Sequence, residues 1–216
     1  MASAQTLTYY KNKRGIYTAA QMDSLLASND KAVAEKGFGQ MMATREITGE
    51  ERSGDTLFYL FKLVYVNREI VKKDELRNAK FVGKPLPGFT LPDINGKMVG
   101  VEDLKGKPVV LNLWFTTCPP CIAEMPDLNK IKSENPDITF LAITYDEKEK
   151  VSAFLKNHPF DFRQITDAKS YVGSLTEEFP TTFFIDKNGI VRAITSGSQL
   201  DRLDRKKFDK AFSLIR

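Results

Sequence analysis

The chain has 216 residues, 42% hydrophobic and 11% aromatic, which suffices for a filled core and is too apolar for global disorder. Its formal charge is only +4, split as 13 Lys/Arg against 10 Asp/Glu over residues 1–82 and 19 against 18 thereafter. Neither half carries a basic stripe with interleaved aromatics, so nucleic acid is not an expected partner, and no run of 18 apolar residues suggests a membrane-spanning helix.

The amino terminus, Met1-Ala2-Ser3-Ala4-Gln5, lacks a charged leader and an apolar stretch, so no signal peptide is read here. Ala2-Ser3-Ala4 does place small residues where signal peptidase sites have them. The remnant of an export signal and an ordinary cytosolic start both stay open. Thr6–Tyr10 and Gly15–Thr18 look like short strands around a Lys/Asn-rich turn. A helix is expected from Ala19 to Lys36, with Leu25, Leu26, Ala32 and Val33 as its apolar stripe and Gly37 and Gly39 as its stop. Gln40–Thr48 and Asp55–Asn67 read as strands joined by a turn over Gly49–Gly54. The run Leu57–Val66 is apolar on both faces and is expected to be covered. No chemical motif occurs in this stretch.

Gly83-Lys84-Pro85-Leu86-Pro87-Gly88 is rich in turn formers and marks the expected boundary between a small α+β domain at 1–82, of unread role, and a larger domain at 83–216. Beyond it strands and helices alternate, as an α/β fold with a central sheet requires. Strands are expected at Val109–Phe115, Thr139–Tyr145, Phe162–Thr166, Thr182–Asp186 and Ile190–Thr195. Helices are expected at Cys121–Glu134, Lys148–Asn157, Ala168–Leu175 and Asp201–Ile215. Asp186-Lys187-Asn188-Gly189 is a hairpin turn, with Asn-Gly supplying positive φ angles.

The two cysteines, Cys118 and Cys121, are the only ones in the chain. Three positions apart, they cannot staple distant segments, so a disulfide scaffold is excluded. They follow the strand ending in Trp114-Phe115 and open a helix, and that placement points to redox chemistry. A sulfur at a helix amino terminus meets unpaired N–H groups and the positive end of the helix dipole, which favour the attacking thiolate. Cys118 is expected to be the exposed nucleophile and Cys121 the more buried resolving thiol. Inert core cysteines are the alternative. A zinc site is disfavoured, because His158 is the lone histidine and two thiolates with one distant imidazole do not close a tetrahedron. His158, before Pro159, reads as a solvated or capping side chain, and Trp114 as core. Pro119 and Pro120 lack N–H groups, so two donors to the Cys118 sulfur are missing. Modest thiolate stabilisation follows, and with it a reducing pair, nearer about −270 mV than about −120 mV.

From residue 83 on, the sequence resembles the thioredoxin superfamily, in particular the exported TlpA/ResA branch. The resemblance rests on the lead-in Val82–Asp93 with Asn95-Gly96-Lys97, on Cys118-Pro119-Pro120-Cys121, on Pro126 five residues later, and on Phe179-Pro180-Thr181 before a strand. It implies a thioredoxin-like fold, a kink at Pro126 and a cis peptide before Pro180, where a tertiary amide lowers the cost of that isomer. Phe179, Pro180 and Thr181 would then position an incoming substrate strand. Glu124, one turn past Cys121, looks equivalent to a glutamate that tunes the cysteine pair in ResA-like proteins; a surface glutamate is the alternative. Asn112 stands where cytosolic thioredoxins carry a buried aspartate, and Thr117 where a tryptophan often precedes the first cysteine. Copper-chaperone relatives use a wider cysteine spacing. Peroxiredoxins need a threonine at the position of Phe115, so antioxidant peroxidase activity is not expected.

The implied protein is a thiol–disulfide oxidoreductase that reduces disulfides of exported proteins. It needs no cofactor and no metal, and takes its electrons from a membrane thiol reductase. A disulfide oxidase or isomerase, or a binding protein using the fold as a scaffold, are the competing functions. A periplasmic or otherwise exported location follows from the resemblance, with the cytoplasm as the alternative.

Overall fold

The computed structural model describes residues 7–196 and 205–216. The Ala2-Ser3-Ala4 triplet, Thr6 and the 201–204 start of the expected last helix lie outside the described residues. The chain forms two compact units, Met1–Glu75 and Leu76–Arg216. The division falls inside a helix, α2 (Arg68–Phe81), instead of at the Gly83–Gly88 turn. That helix is missing from the sequence reading because Ile70, Val71 and Phe81 are sparse among charged residues, which leaves the 3.6-residue period faint. Its last turn is claimed by the larger unit: the Phe81 ring lies 5.5 Å from that of Phe183, and Arg77 pairs with Glu178 at 3.0 Å.

The smaller unit contains β1 (Leu7–Asn12), β2 (Gly15–Tyr17), α1 (Ala19–Glu35), β3 (Met41–Ser53) and β4 (Thr56–Asn67). Thr18 caps α1 through a reciprocal pair of bonds with Gln21, satisfying two otherwise orphaned amides. The sheet order is β2-β1-β4-β3, with β1 parallel to β4 and the other pairs antiparallel. The expected Gly49–Gly54 turn is overturned: β3 absorbs an irregularity between Ile47 and Gly49, runs on to Ser53 and turns at Gly54, where φ is +57°. Pairing with β4 thus outweighs the glycine signals. The expected covering of Leu57–Val66 is also corrected, since only Leu57 and Phe61 of that run are buried and Tyr65 is 45% exposed.

The larger unit opens with a small hairpin, β5 (Thr90–Pro92) and β6 (Met98–Gly100), then a single 3-10 turn. There follow β7 (Val109–Trp114), α3 (Pro119–Glu134), β8 (Thr139–Thr144), α4 (Lys148–Leu155), β9 (Arg163–Ile165), α5 (Lys169–Leu175), β10 (Thr181–Ile185), β11 (Val191–Ser196) and α6 (Arg205–Ser213). The order β11-β10-β7-β8-β9 puts β7 at the centre, antiparallel to β10 and parallel to β8. All six β7 residues are buried, as a strand covered on both faces must be. Val110 and Trp114 face a core shared with α3 and α6, while Leu111 and Leu113 face one shared with α5. Trp114 packs against Phe154 and Phe160, in keeping with a core role, and the exposed His158 ring stacks on Phe154 at 4.3 Å.

Leu111, fully buried on β7, tests this architecture. Leu111→Ala should destabilise the chain by about 2–5 kcal/mol in chemical denaturation. Leu76→Ala, at a position 63% exposed, should change stability by less than about 0.5 kcal/mol.

Candidate active site

The carboxyl end of β7 delivers Phe115-Thr116-Thr117 into the mouth of α3, where Cys118 is the N-cap residue. Pro119 and Pro120 occupy the first helical turn, where a missing N–H costs nothing and the fixed φ suits the helix. The first amide able to donate is that of Cys121, and it does so to the Cys118 Sγ at 3.3 Å. One donor therefore remains where the two prolines remove others. Cys118 and Cys121 are joined in a disulfide with Cα atoms 5.3 Å apart.

Cys118 does not stand exposed as expected. It is 2% accessible and Cys121 1%. Phe115 and Phe179 pack against the core that holds both cysteines, and with Tyr145 they form a cluster of rings 5.2–5.8 Å apart. Thr117, Pro119 and Tyr145 make up the exposed rim beside it. Phe179, Pro180 and Thr181 come to this end of the sheet at the start of β10, and the Phe179–Pro180 peptide is cis. Thr181 faces inward: it is fully buried, its hydroxyl donates to the Glu178 carbonyl at 2.7 Å, and its backbone lies between Leu113 on β7 and Ser196 on β11, so it can act on a substrate only through its neighbours.

Glu124 is no surface glutamate. It is 5% exposed beneath the disulfide-bearing turn, on the inner face of α3. Burial pushes its carboxyl up from 4.5 to about 7; a hydrogen bond from Asn112 opposes the rise and the charge of Asp127 adds to it. The Asn112 Nδ2 donates to Glu124 Oε1 at 2.9 Å and to Thr182 Oγ1 at 3.0 Å. Asn112 and Thr182 lie directly opposite each other across the β7–β10 ladder, which explains why their side chains meet. Among the described residues, no three His, Cys, Asp or Glu side chains are grouped to hold a metal ion.

A model of the AhpC/TSA family matches residues 82–194. The chain belongs to that family. It is 37% identical over 123 residues to the thiol-disulfide oxidoreductase ResA of Bacillus cereus, covering 55% of this chain and 71% of that one. ResA of Bacillus thuringiensis is 32% identical over 152 residues, 68% of this chain and 83% of the relative. Among solved structures, a Chlorobium tepidum protein assigned as the thiol:disulfide interchange protein DsbE superposes with a TM-score of 0.56 at 26% identity, over 61% of this chain and 95% of that one. This AhpC/TSA-family chain is thus a thioredoxin-like thiol–disulfide oxidoreductase.

One feature of this family member escaped the sequence reading entirely. Asp146, just after β8 and buried, accepts the Thr116 amide at 2.7 Å and the Lys150 ammonium at 2.6 Å. Burial alone would raise its pKa, but the bonds from Lys150 and Thr116 prevail and hold the carboxyl below the usual carboxylate range. Asp146 therefore pins the loop two residues before Cys118. An aspartate followed four residues later by a lysine at a helix start is too common a pattern to reveal this role.

Asp146→Ala should orphan the buried Thr116 amide and cost about 1–3 kcal/mol in denaturation, whereas Lys150→Ala, removing a half-exposed partner, should cost less than about 1 kcal/mol. For Glu124 the folded chain holds its proton more tightly than the unfolded chain does. The stability this group contributes is complete below about 4.5 and is lost as the pH rises through about 7. Glu124→Gln keeps the acceptor for Asn112 without the charge, so at pH 8 the oxidised variant should be more stable than the wild type by up to about 3 kcal/mol. At pH 4 the two should be nearly equal. A stability difference independent of pH would contradict the raised pKa.

Proposed function

We propose that this oxidoreductase works as a reductase of protein disulfides, with Cys118 as the attacking and Cys121 as the resolving thiol. The observation that carries the reading is the Cys118–Cys121 disulfide at the α3 mouth, with the Cys121 amide directed at the Cys118 sulfur. In the reduced chain the Cys118 thiolate attacks one sulfur of a substrate disulfide, forming a mixed disulfide and expelling the other sulfur as a thiolate. Cys121 then gives up its proton and attacks Cys118, releasing the second substrate sulfur. Two electrons pass to the substrate, which ends as two thiols, and the chain ends in the oxidised form.

Glu124, one helical turn after Cys121, is the group we assign to take up the Cys121 proton. Its raised pKa leaves it able both to accept and to return a proton near neutral pH. Phe179 forms the edge against which the substrate segment lies, and Pro180 and the buried Thr181 hold it in place. Export of the protein and a membrane thiol reductase as electron donor are supported by the resemblance to the TlpA/ResA branch. Among the described residues no helix is long and apolar enough to cross a membrane.

In an insulin-reduction assay the wild type should accelerate precipitation and Cys118→Ser should abolish the effect. Cys121→Ser should accumulate a reductant-sensitive mixed disulfide with its target, readable by mass spectrometry. Reduction that survives Cys118→Ser, or a reduction potential near about −120 mV, would overturn the reading.

A further inference from the structure

Glu124 presents two carboxyl oxygens, and the structure treats them differently. Oε1 accepts from Asn112, while among the described residues nothing hydrogen-bonds to Oε2. The Asn112 amide has two hydrogens, and both are used, one on Glu124 Oε1 and one on Thr182 Oγ1. With Glu124 ionised this orientation is the one selected, because a flipped amide would set its carbonyl against the carboxylate oxygen. The position is 1% exposed, so water does not stand in for either bond, and its other ladder neighbour is Ala142 on β8, whose methyl offers no competing partner.

We propose that Asn112 is a positioning residue for the proton transfer at Glu124: it holds Oε1 with a donor that never ionises, is itself locked by Thr182, and leaves Oε2 as the oxygen that takes up and returns the proton. The proposal rests on the assignment of Glu124 to the cysteine pair. An amide suits the task where a carboxyl would not. Asparagine keeps one protonation state at every working pH, so in the oxidised chain, where Cys118 and Cys121 do not titrate, Glu124 titrates as a single group. An aspartate at the same place would put two carboxyls within hydrogen-bonding distance, and such pairs share a proton and titrate in two separated steps. The charged neighbour of Glu124 is Asp127, exposed on the same helix. The strands beneath, β7, β8 and β10, contribute Asn112, Ala142 and Thr182, none of which ionises. The arrangement also ties three separate pieces of the site together: the strand leading to Cys118, the helix that follows it, and the strand that follows Pro180.

The test follows the Glu124 carboxyl directly, by carbon-13 NMR titration of the full-length chain, together with the pH dependence of its reduction potential. Asn112→Ala removes the donor and should move the Glu124 midpoint upward by about one to two pH units. Asn112→Asp should replace the single transition by two. Thr182→Val leaves the amide in place but unlocks it, and should give a smaller upward shift. The inflection in the potential should move with the NMR midpoint in each variant. A Glu124 midpoint unchanged in Asn112→Ala and Thr182→Val, even with lowered stability, would make Asn112 a merely structural residue and overturn the proposal. Should Asn112→Ala fail to fold, Thr182→Val decides alone. Glu124→Gln serves as the separate control. If it leaves the pH dependence of the potential untouched, the assignment of Glu124 falls, and this proposal with it, whatever the Asn112 variants do.

Discussion

The site depends on the ladder that β7 makes with its two neighbours. Held by β8 on one edge and β10 on the other, this strand has no freedom to slide, because a one-residue slip would exchange its two buried faces. The same register delivers Thr116-Thr117-Cys118 to the start of α3 and sets Asn112 opposite Thr182. It also brings the turn containing the cis Phe179–Pro180 bond to the same end of the sheet. The chemistry is local to one helix mouth, but the geometry that makes it possible is a property of the whole sheet.

Two buried carboxyls at this end of the molecule shift in opposite directions. Asp146 and Glu124 are both buried carboxyls, 6% and 5% exposed. Asp146 has a lysine ammonium and a backbone amide, and stays ionised. Glu124 has a single neutral donor and an acidic neighbour, and its affinity for the proton rises. Two groups with the same intrinsic chemistry thus separate into a fixed charge that anchors a loop and a carboxyl, one helical turn after Cys121, that titrates nearer neutrality. Their exposure is nearly equal, but Glu124 lies deeper among protein atoms, so depth and partners together decide the outcome.

Much of the larger unit was legible in the sequence. Strands rich in β-branched and aromatic residues, alternating with helical stretches and punctuated by Asn188-Gly189, led to the observed order with ends shifted by a residue or two. The pair Cys118 and Cys121 was legible for the same reason, as a strand, a short loop and a helix have few ways to join. Other features were not. The α2 helix is too charged to show its period, and the β3 turn was misplaced because Gly49 marks an irregularity within the ladder. Cys118 was expected to be open, yet the rings of Phe115, Tyr145 and Phe179 converge from positions far apart in sequence, and no local pattern announces such a meeting. The partners of Asn112 and Asp146 were hidden likewise, since each bond spans a distance along the chain that only the finished sheet closes.

The bond between Cys118 and Cys121 consumes every cysteine the chain has. The protein is therefore its own redox gauge: an alkylating label finds no thiol in one state and two in the other, with no bystander to blur the reading. Scrambling within the polypeptide is ruled out by arithmetic, because a third sulfhydryl would be needed to start it. Any covalent adduct through sulfur must then be a bond to a different molecule.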